Sequence, residues 1–172
     1  MRALLALLVL SGGPGALAAQ EAPSGLPQGF SLGATFDQYF VDEDRPAALS
    51  IRGIELRPDH VTSEFGLGVL FSRNQGQSTL LLTDLGGAYQ IPMAGMHLLL
   101  HGGPTLAISL EGESHSAAIG GFAGAGLIAR LTGRLAIRGD ISRRWFLQDV
   151  IVSGSMIAVG FTVLPAGPAP IP

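Results

Sequence analysis

The sequence predicts an all-β protein, an eight-stranded antiparallel up-and-down transmembrane β-barrel. After an N-terminal targeting segment, the chain divides into eight segments of about 10–14 residues separated by turn-forming residues, which is the spacing of strands tilted across a bilayer. Several segments alternate apolar and polar residues with the period of two that is typical of β-strands. Hydrophobic residues make up 47% of the chain, yet no later segment is apolar for long enough to form a spanning helix.

The N-terminus has the layout of a secretory signal peptide. Arg2 precedes a short apolar run that ends at Leu10, and Ala16-Leu17-Ala18 gives an A-x-A cleavage pattern, so we expect cleavage near Ala18 or Ala19. A membrane anchor would need roughly 20 apolar residues, which this run lacks. We therefore predict a signal peptide, a flexible lead-in, a β-barrel and a Pro-rich tail at residues 1–19, 20–28, 29–164 and 165–172.

The composition excludes several classes of protein. There is no cysteine, which excludes an anchor attached through an N-terminal Cys, a disulfide scaffold and a Cys-based zinc site. The net charge of −3 gives no indication of a nucleic-acid partner. Every basic residue apart from histidine is Arg, whose planar group binds buried carboxylates in bidentate fashion. A bias in genome base composition accounts for that preference equally well.

The third segment shows the alternation most clearly. Val61, Phe65 and Leu67 fall on one face, whereas Thr62 and Glu64 fall on the other. The same pattern runs through the first, seventh and eighth segments, at residues 30–37, 134–145 and 157–163. Each of these segments is therefore predicted to be a strand with one apolar and one polar face.

The second, fourth, fifth and sixth segments alternate less regularly, and two of them give a specific prediction. In the second segment the apolar positions change phase between Ile51 and Ile54, so a β-bulge is expected near Gly53. In the fifth segment Pro104 lacks the amide needed for a hydrogen-bonded ladder, which predicts a bulge or an end of pairing there.

The connections between segments alternate in length. Longer polar connections alternate with tighter ones: residues 41–46, 72–77 and 111–115 against 57–60, 92–95 and 131–133. Outer-membrane barrels have long outer loops and short periplasmic turns, so both termini are expected on the periplasmic side. Four aromatic residues near the segment ends are candidates for an interfacial girdle: Tyr39, Phe40, Tyr89 and Trp145.

Alternation alone does not tell which face points outward, because a soluble barrel hides its apolar face and a membrane barrel exposes it. The polar face carries charges of both signs in mid-segment, as expected of a barrel interior cross-linked by ion pairs. A solvated outer face also carries mixed charges, but this one lacks Lys and is poor in charge for a soluble domain. The predicted lumen network comprises Asp37, Arg52, Glu64, Asp84, Arg130, Arg134, Arg138, Asp140 and Arg144.

With these features the chain resembles the small eight-stranded outer-membrane β-barrel proteins, the architecture of the transmembrane part of outer membrane protein A. The resemblance extends from Gly29 to about Leu164. Besides the signal peptide, it rests on the Gly- and Ala-rich strand at residues 120–127 and on the following hairpin into residues 135–140. One departure is that Phe161 lies inside the last segment and a Pro-rich tail follows, whereas such barrels typically end in an aromatic residue. The resemblance implies insertion by the barrel-assembly machinery.

Two constellations invite a chemical interpretation. His97 and His101 share a face of the fifth segment, and Glu64 or Asp84 are candidates to join them at a metal. We instead interpret both histidines as polar members of a lumen hydrogen-bond network, because no zinc motif surrounds them. Ser114-His115-Ser116, with Glu111 or Glu113, contains the residue types of a hydrolytic site, but these types are also expected in any polar loop.

The sequence therefore predicts a non-enzymatic outer-membrane barrel with a structural or interaction role and a packed, charged lumen. Outer-membrane lipid and the barrel-assembly machinery are its expected partners, and no cofactor, metal or nucleic acid is expected. Two alternatives remain open at this stage: a soluble periplasmic lipocalin-like barrel that binds an apolar ligand, and an outer-membrane lipid-modifying enzyme that uses residues around His115.

Overall fold

The computed structural model describes residues 26–41, 45–57, 60–71, 79–110, 116–147 and 153–166. The strands are β1 (Gly29–Phe40), β2 (Ala47–Leu56), β3 (Val61–Phe71), β4 (Leu80–Met93), β5 (Met96–Ser109), β6 (Ala117–Thr132), β7 (Leu135–Phe146) and β8 (Gly154–Val163). The predicted signal peptide and the predicted tail from residue 167 onward lie outside the described residues. Among the residues described there is no helix both long and apolar enough to cross a membrane.

The eight strands form a closed barrel in sequence order, and every pairing is antiparallel. β8 returns to pair with β1, with Val163 opposite Leu32 and Ser155 opposite Phe40. Closure leaves no strand edge with unpaired backbone groups, a condition that a sheet in a bilayer has to meet. The predicted fold class, an eight-stranded antiparallel up-and-down barrel, is confirmed.

The short turns lie at the end of the barrel that also holds the start of β1 and the end of β8. Gly95 and Gly133 occupy two of these turns with φ of 72° and 47°, a region that residues with a Cβ rarely adopt. The longer connections, at residues 41–46, 72–79, 110–116 and 147–153, join the strands at the opposite end. We call the two ends the turn end and the loop end.

Alternation of exposure follows the predicted pattern in β1, β3, β7 and β8. Phe65 and Leu67 of β3 point outward, while Glu64 and Leu70 are buried inside the barrel. The outer surface is consequently rich in large apolar side chains, among them Phe30, Phe36, Leu49, Ile51, Leu85, Ile119, Ile141, Val159 and Phe161.

The expected bulge near Gly53 does not form. The pairing of β2 with β1 and β3 runs through Gly53 without a change of register. The apolar phase changes because Ile54 lies on the inner face, where it belongs to a buried apolar cluster near the turn end. Gly53 points outward beneath the stacked rings of Phe30 and Phe65, whose centroids are 5.9 Å apart, and a Cβ there would collide with both rings.

The interruption expected at Pro104 is confined to one side of β5. The pairing with β6 continues through Pro104, which faces Gly121. On the other side, the pairs of β4 with β5 stop at Asp84–Thr105 and resume at Gly87–Gly102 in the same register. Pairing with β4 therefore lapses around Pro104, and no bulge is introduced.

Tyr39, one of the four candidate girdle residues, does not face outward. Its side chain is fully buried inside the barrel, because it lies on the same face of β1 as Asp37. Tyr89 and Trp145 point outward and are about half exposed, and Phe40 lies on the outer face of β1.

Candidate functional site: the charged barrel interior

One ion-pair cluster links four strands across the loop-end half of the lumen. Arg52 of β2 contacts Asp37 of β1 at 3.1 Å and reaches toward Asp84 of β4 at 3.9 Å. Arg144 of β7 binds Asp84 with two parallel hydrogen bonds, 2.6 Å from Nη1 to Oδ1 and 2.5 Å from Nη2 to Oδ2. This fork-to-fork geometry is a strong form of charge-assisted hydrogen bonding, and all four side chains are almost fully buried.

A second cluster centres on Arg138 of β7. Its guanidinium donates to Glu64 of β3 through Nη2, and to both carboxylate oxygens of Asp140 at 2.8 and 3.0 Å. His101 of β5 completes the cluster: its Nδ1 lies 2.8 Å from Glu64 Oε2 and its Nε2 lies 3.7 Å from Asp140 Oδ1. The imidazole is thus held between two carboxylates, with its ring edge-on to Phe122 at 5.7 Å.

Hydroxyl groups supply further hydrogen bonds to the carboxylates that the arginines bind. Thr35 and Ser50 donate to the two oxygens of Asp37 at 2.7 and 2.6 Å, and Thr105 donates to Asp84 at 2.7 Å. Buried ion pairs are tolerated only when such additional hydrogen bonds offset the loss of hydration. Together the two clusters form a largely satisfied polar layer.

Buried apolar side chains cluster on both sides of this layer. At the loop end, Tyr39, Leu70, Leu82 and Met156 belong to one buried cluster. At the turn end, a second buried cluster consists of Leu26, Ile54, Leu56, Ala88, Leu99, Ile128, Ala136 and Leu164. An eight-stranded barrel has room for about one layer of side chains across its interior, so the lumen is filled rather than open. Leu26 shows that the end of the predicted lead-in packs into this turn-end cluster.

The structure brings most of the predicted network together but leaves out two arginines. Asp37, Arg52, Glu64, Asp84, Arg138, Asp140 and Arg144 all take part in the ion pairs above. Arg134 does not, because it lies in the β6–β7 turn, where its exposed side chain donates from Nε to the Leu164 carbonyl at 3.0 Å. Arg130 is half-buried near the same turn, and no ion pair with a described residue includes it.

His97 and His101 both lie on the inner face, and each contacts a polar neighbour. His101 binds Glu64, whereas His97 Nδ1 lies 3.2 Å from Gln90 Oε1 near the turn end. In the described part of the chain no group of three His, Asp or Glu side chains converges as a metal site. The Ser114-His115-Ser116 hypothesis cannot be placed in this geometry, because residues 111–115 lie outside the described ranges.

The hydroxyl and amide partners were not singled out from the sequence. In each strand, every second residue faces the lumen, and the charged residues occupy such positions. The same positions hold Thr35, Ser50, Thr105 and Gln90, so their place in the alternation is the signal that identifies them.

Comparison with known proteins gives a fold but no sequence family. No protein-family model matches the chain, and no curated protein matches it. Among solved structures, the N-terminal β-barrel domain of Pseudomonas aeruginosa OprF has a TM-score of 0.57 and 16% identity, over 81% of this chain and 98% of that one. Neisserial surface protein A (NspA) has a TM-score of 0.56 and 13% identity, over 78% and 94% of the two chains. A de novo designed transmembrane β-barrel has a TM-score of 0.51 and 14% identity, over 82% and 99%.

The chain therefore has the fold of small eight-stranded outer-membrane barrels. Its apolar exterior and charged interior are the arrangement of a membrane-embedded barrel, since lipid contacts the outer face and the polar groups are satisfied inside.

Proposed function

We propose that this chain is an outer-membrane protein with a structural or interaction role, in which the lumen is a rigid plug rather than a channel or a catalytic site. The observation that carries this proposal is the layering of the interior. Arg138, Arg144 and their carboxylate partners form a cross-linked middle layer, and apolar clusters lie above and below it. A water-filled path would need open space through the interior. Buried side chains of both clusters, together with polar ones such as Gln90 and His97 at the turn end, occupy that space.

The same layering argues against the lipocalin-like alternative. A soluble barrel that carries an apolar ligand has an apolar cavity and a wetted polar exterior. Here the middle of the interior is occupied by ion pairs, and the exterior carries Phe36, Phe161 and many other large apolar side chains. Export through the N-terminal segment and insertion by the barrel-assembly machinery are part of the proposal. Because the lumen is filled, a partner binds at the outer surface or at the loop end.

Channel activity is the test of the plug. The full chain is expressed in a Gram-negative cell, recovered from the outer-membrane fraction of a density gradient, and checked for the mobility shift on boiling that folded barrels give. In planar lipid bilayers the folded protein is expected to produce no unitary conductance steps above those of protein-free membranes, because buried side chains fill the interior at both ends.

Steady unitary steps from protein that shows the mobility shift would contradict the plug. Recovery in the soluble periplasmic fraction without detergent would contradict the outer-membrane proposal. A porin purified in the same detergent serves as the positive control for insertion.

A further inference from the structure

Both ring nitrogens of His101 face carboxylate oxygens inside the barrel. Nδ1 lies 2.8 Å from Glu64 Oε2, and Nε2 lies 3.7 Å from Asp140 Oδ1. The three side chains are at most 2% exposed, so bulk water does not reach the ring. The imidazole is therefore enclosed between two anionic groups, one at each nitrogen.

The groups around the ring accept hydrogen bonds but do not donate any to it. An ionised carboxylate is an acceptor only, and the donors of Arg138 are directed at Glu64 and Asp140. A neutral imidazole with its hydrogen on Nδ1 would satisfy Glu64, but it would turn the Nε2 lone pair toward Asp140. Nε2 is buried and has no hydrogen-bond partner among the described residues. An imidazolium, which carries a hydrogen on both nitrogens, matches both carboxylates.

The charge of this cluster also calls for a second cation. Glu64 and Asp140 share one guanidinium, that of Arg138, which leaves the three groups with one excess negative charge. The charges that act most strongly on Glu64 are those of Arg138 and His101. An excess charge in a buried site is costly unless it is paired. A proton on His101 would make the cluster neutral.

No other cation of the described interior is available for this role. Arg52 and Arg144 are bound by Asp37 and Asp84. The described strand β8 contributes no titratable group to the interior. The remaining titratable side chains on the inner faces are Tyr39 of β1, His97 of β5 and Arg130 of β6, and none of them forms an ion pair with a described carboxylate in the cluster.

We propose that the barrel interior binds one structural proton at His101, so that this side chain is an imidazolium at neutral pH and the second cation for Glu64 and Asp140. Losing the proton leaves buried negative charge without its counter-charge, and the barrel weakens as the pH rises. The inference goes beyond the proposed function, because it makes the strength of the plug depend on pH. It rests on the interior alone and not on the outer-membrane placement.

The sign of the pH dependence follows from the number of protons bound. In an unfolded chain histidine loses its proton near pH 6.5, an approximate reference value. Above that pH, the folded barrel binds one more proton than the unfolded chain for as long as His101 stays charged, so stability falls as the pH rises. One proton corresponds to a fall of about tenfold in the folding equilibrium constant per pH unit. Below that pH both states hold the proton, and this contribution is constant.

The first test reads the charge of the ring by NMR. The full chain, with 15N in its histidine rings, is folded in detergent micelles at about pH 7.5, where free histidine is mostly neutral. An imidazolium shows two protonated ring nitrogens, whereas a neutral ring shows one protonated and one unprotonated nitrogen. The His101 signal is identified by its absence from His101→Gln or, if that variant does not fold, by the signals lost from variants of the other histidines. Wild type is expected to show an imidazolium at His101.

Two further variants test the cause. Asp140→Asn removes the excess negative charge and supplies an amide that can donate to Nε2, so His101 is expected to be neutral in this variant at the same pH. His97→Gln changes the other buried histidine on the inner face of β5 and is expected to leave the His101 imidazolium unchanged. A neutral His101 in wild type, or an imidazolium that persists in Asp140→Asn, would overturn the proposal. The wild-type spectrum alone decides it if Asp140→Asn does not fold.

The second test measures the effect of the proton on stability. Denaturant titrations of wild type and His101→Gln are compared at several pH values above neutrality. The ratio of their folding equilibrium constants is expected to fall by up to about tenfold per pH unit while His101 stays charged. A ratio that does not change with pH over this range would overturn the stabilising role of the proton. Unitary conductance from a barrel with a charged His101 would contradict the plug alone.

Discussion

Replacing Arg138 by methionine is expected to lower the free energy of unfolding by about 3–5 kcal/mol, because the change leaves two buried carboxylates without their main counter-charge. Arg138 is the shared partner of Glu64 and Asp140, and all three side chains are almost fully excluded from solvent. The measurement is a denaturant titration of the folded barrel in zwitterionic detergent. Unfolding is monitored by the fluorescence of Trp145, the only tryptophan.

Arg143→Met is the matched control for this prediction. It removes the same type of side chain from the same strand, but from the outer face, where no described residue pairs with it. In detergent it is expected to change stability by less than about 0.5 kcal/mol. A second variant, with Arg138→Met, Glu64→Gln and Asp140→Asn combined, is expected to regain much of the loss, since the uncompensated charges are then gone. Equal stability of Arg138→Met and Arg143→Met would show that the cluster does not hold the barrel together.

Introducing a methyl group at Gly160 is expected to destabilise the barrel by about 1–3 kcal/mol. Gly160 lies opposite Thr35 in the pairing of β8 with β1, the contact that closes the barrel. A Cβ at Gly160 would collide with the backbone carbonyl of Ala34, and the two strands would have to separate to admit it. The same denaturant titration, applied to Gly160→Ala, measures this effect.

Gly139→Ala, in the adjacent strand, provides the comparison. An added Cβ there meets no described atom closer than 3.9 Å, the Ala158 carbonyl oxygen. Since glycine weakens a strand, this variant is expected to be neutral or slightly stabilising. If both alanine variants unfold at the same denaturant concentration, the pairing of β1 with β8 does not require glycine at position 160.

The sequence was most informative where each strand has a single polar face. In β7, Ile137 and Ile141 alternate with Arg138 and Asp140, and the structure follows this pattern residue by residue. The pattern is readable because lipid and lumen impose opposite requirements on neighbouring positions.

Alternation was misleading where the lumen itself becomes apolar. Ile54 and Tyr39 both point inward, and each belongs to a buried apolar cluster near one end of the interior. If every apolar residue is assigned to the outer face, Ile54 predicts a bulge and Tyr39 an interfacial anchor. The alternation of faces along β1 and β2 separates these positions from Phe36 and Ile51. Their depth along the barrel, which the sequence does not display, explains why an apolar residue faces inward there.

The sequence also does not specify which charged residues pair with each other. The alternation of faces places Glu64 and Arg138 in the lumen. They are 74 positions apart in the sequence, and the register of the strands determines that they contact each other. Arg134 has the parity of the inner face yet lies beyond the strand end, in the turn. A shift of one or two residues in a strand boundary is enough to move such a side chain out of the network.

The orientation of the outer face is tested most directly by spin labels on β8 in lipid vesicles. The chain has no cysteine, so single cysteines at Val159 and Phe161, and at Leu147 beyond the end of β7, can each be labelled uniquely. Labels at Val159 and Phe161 are expected to collide readily with oxygen, which concentrates in the acyl region, and poorly with a water-soluble nickel chelate. Leu147, whose side chain is 82% exposed at the loop end, is expected to show the reverse. Collision with nickel at Val159 and Phe161 as frequent as at Leu147 would place the apolar face in water and contradict the membrane barrel.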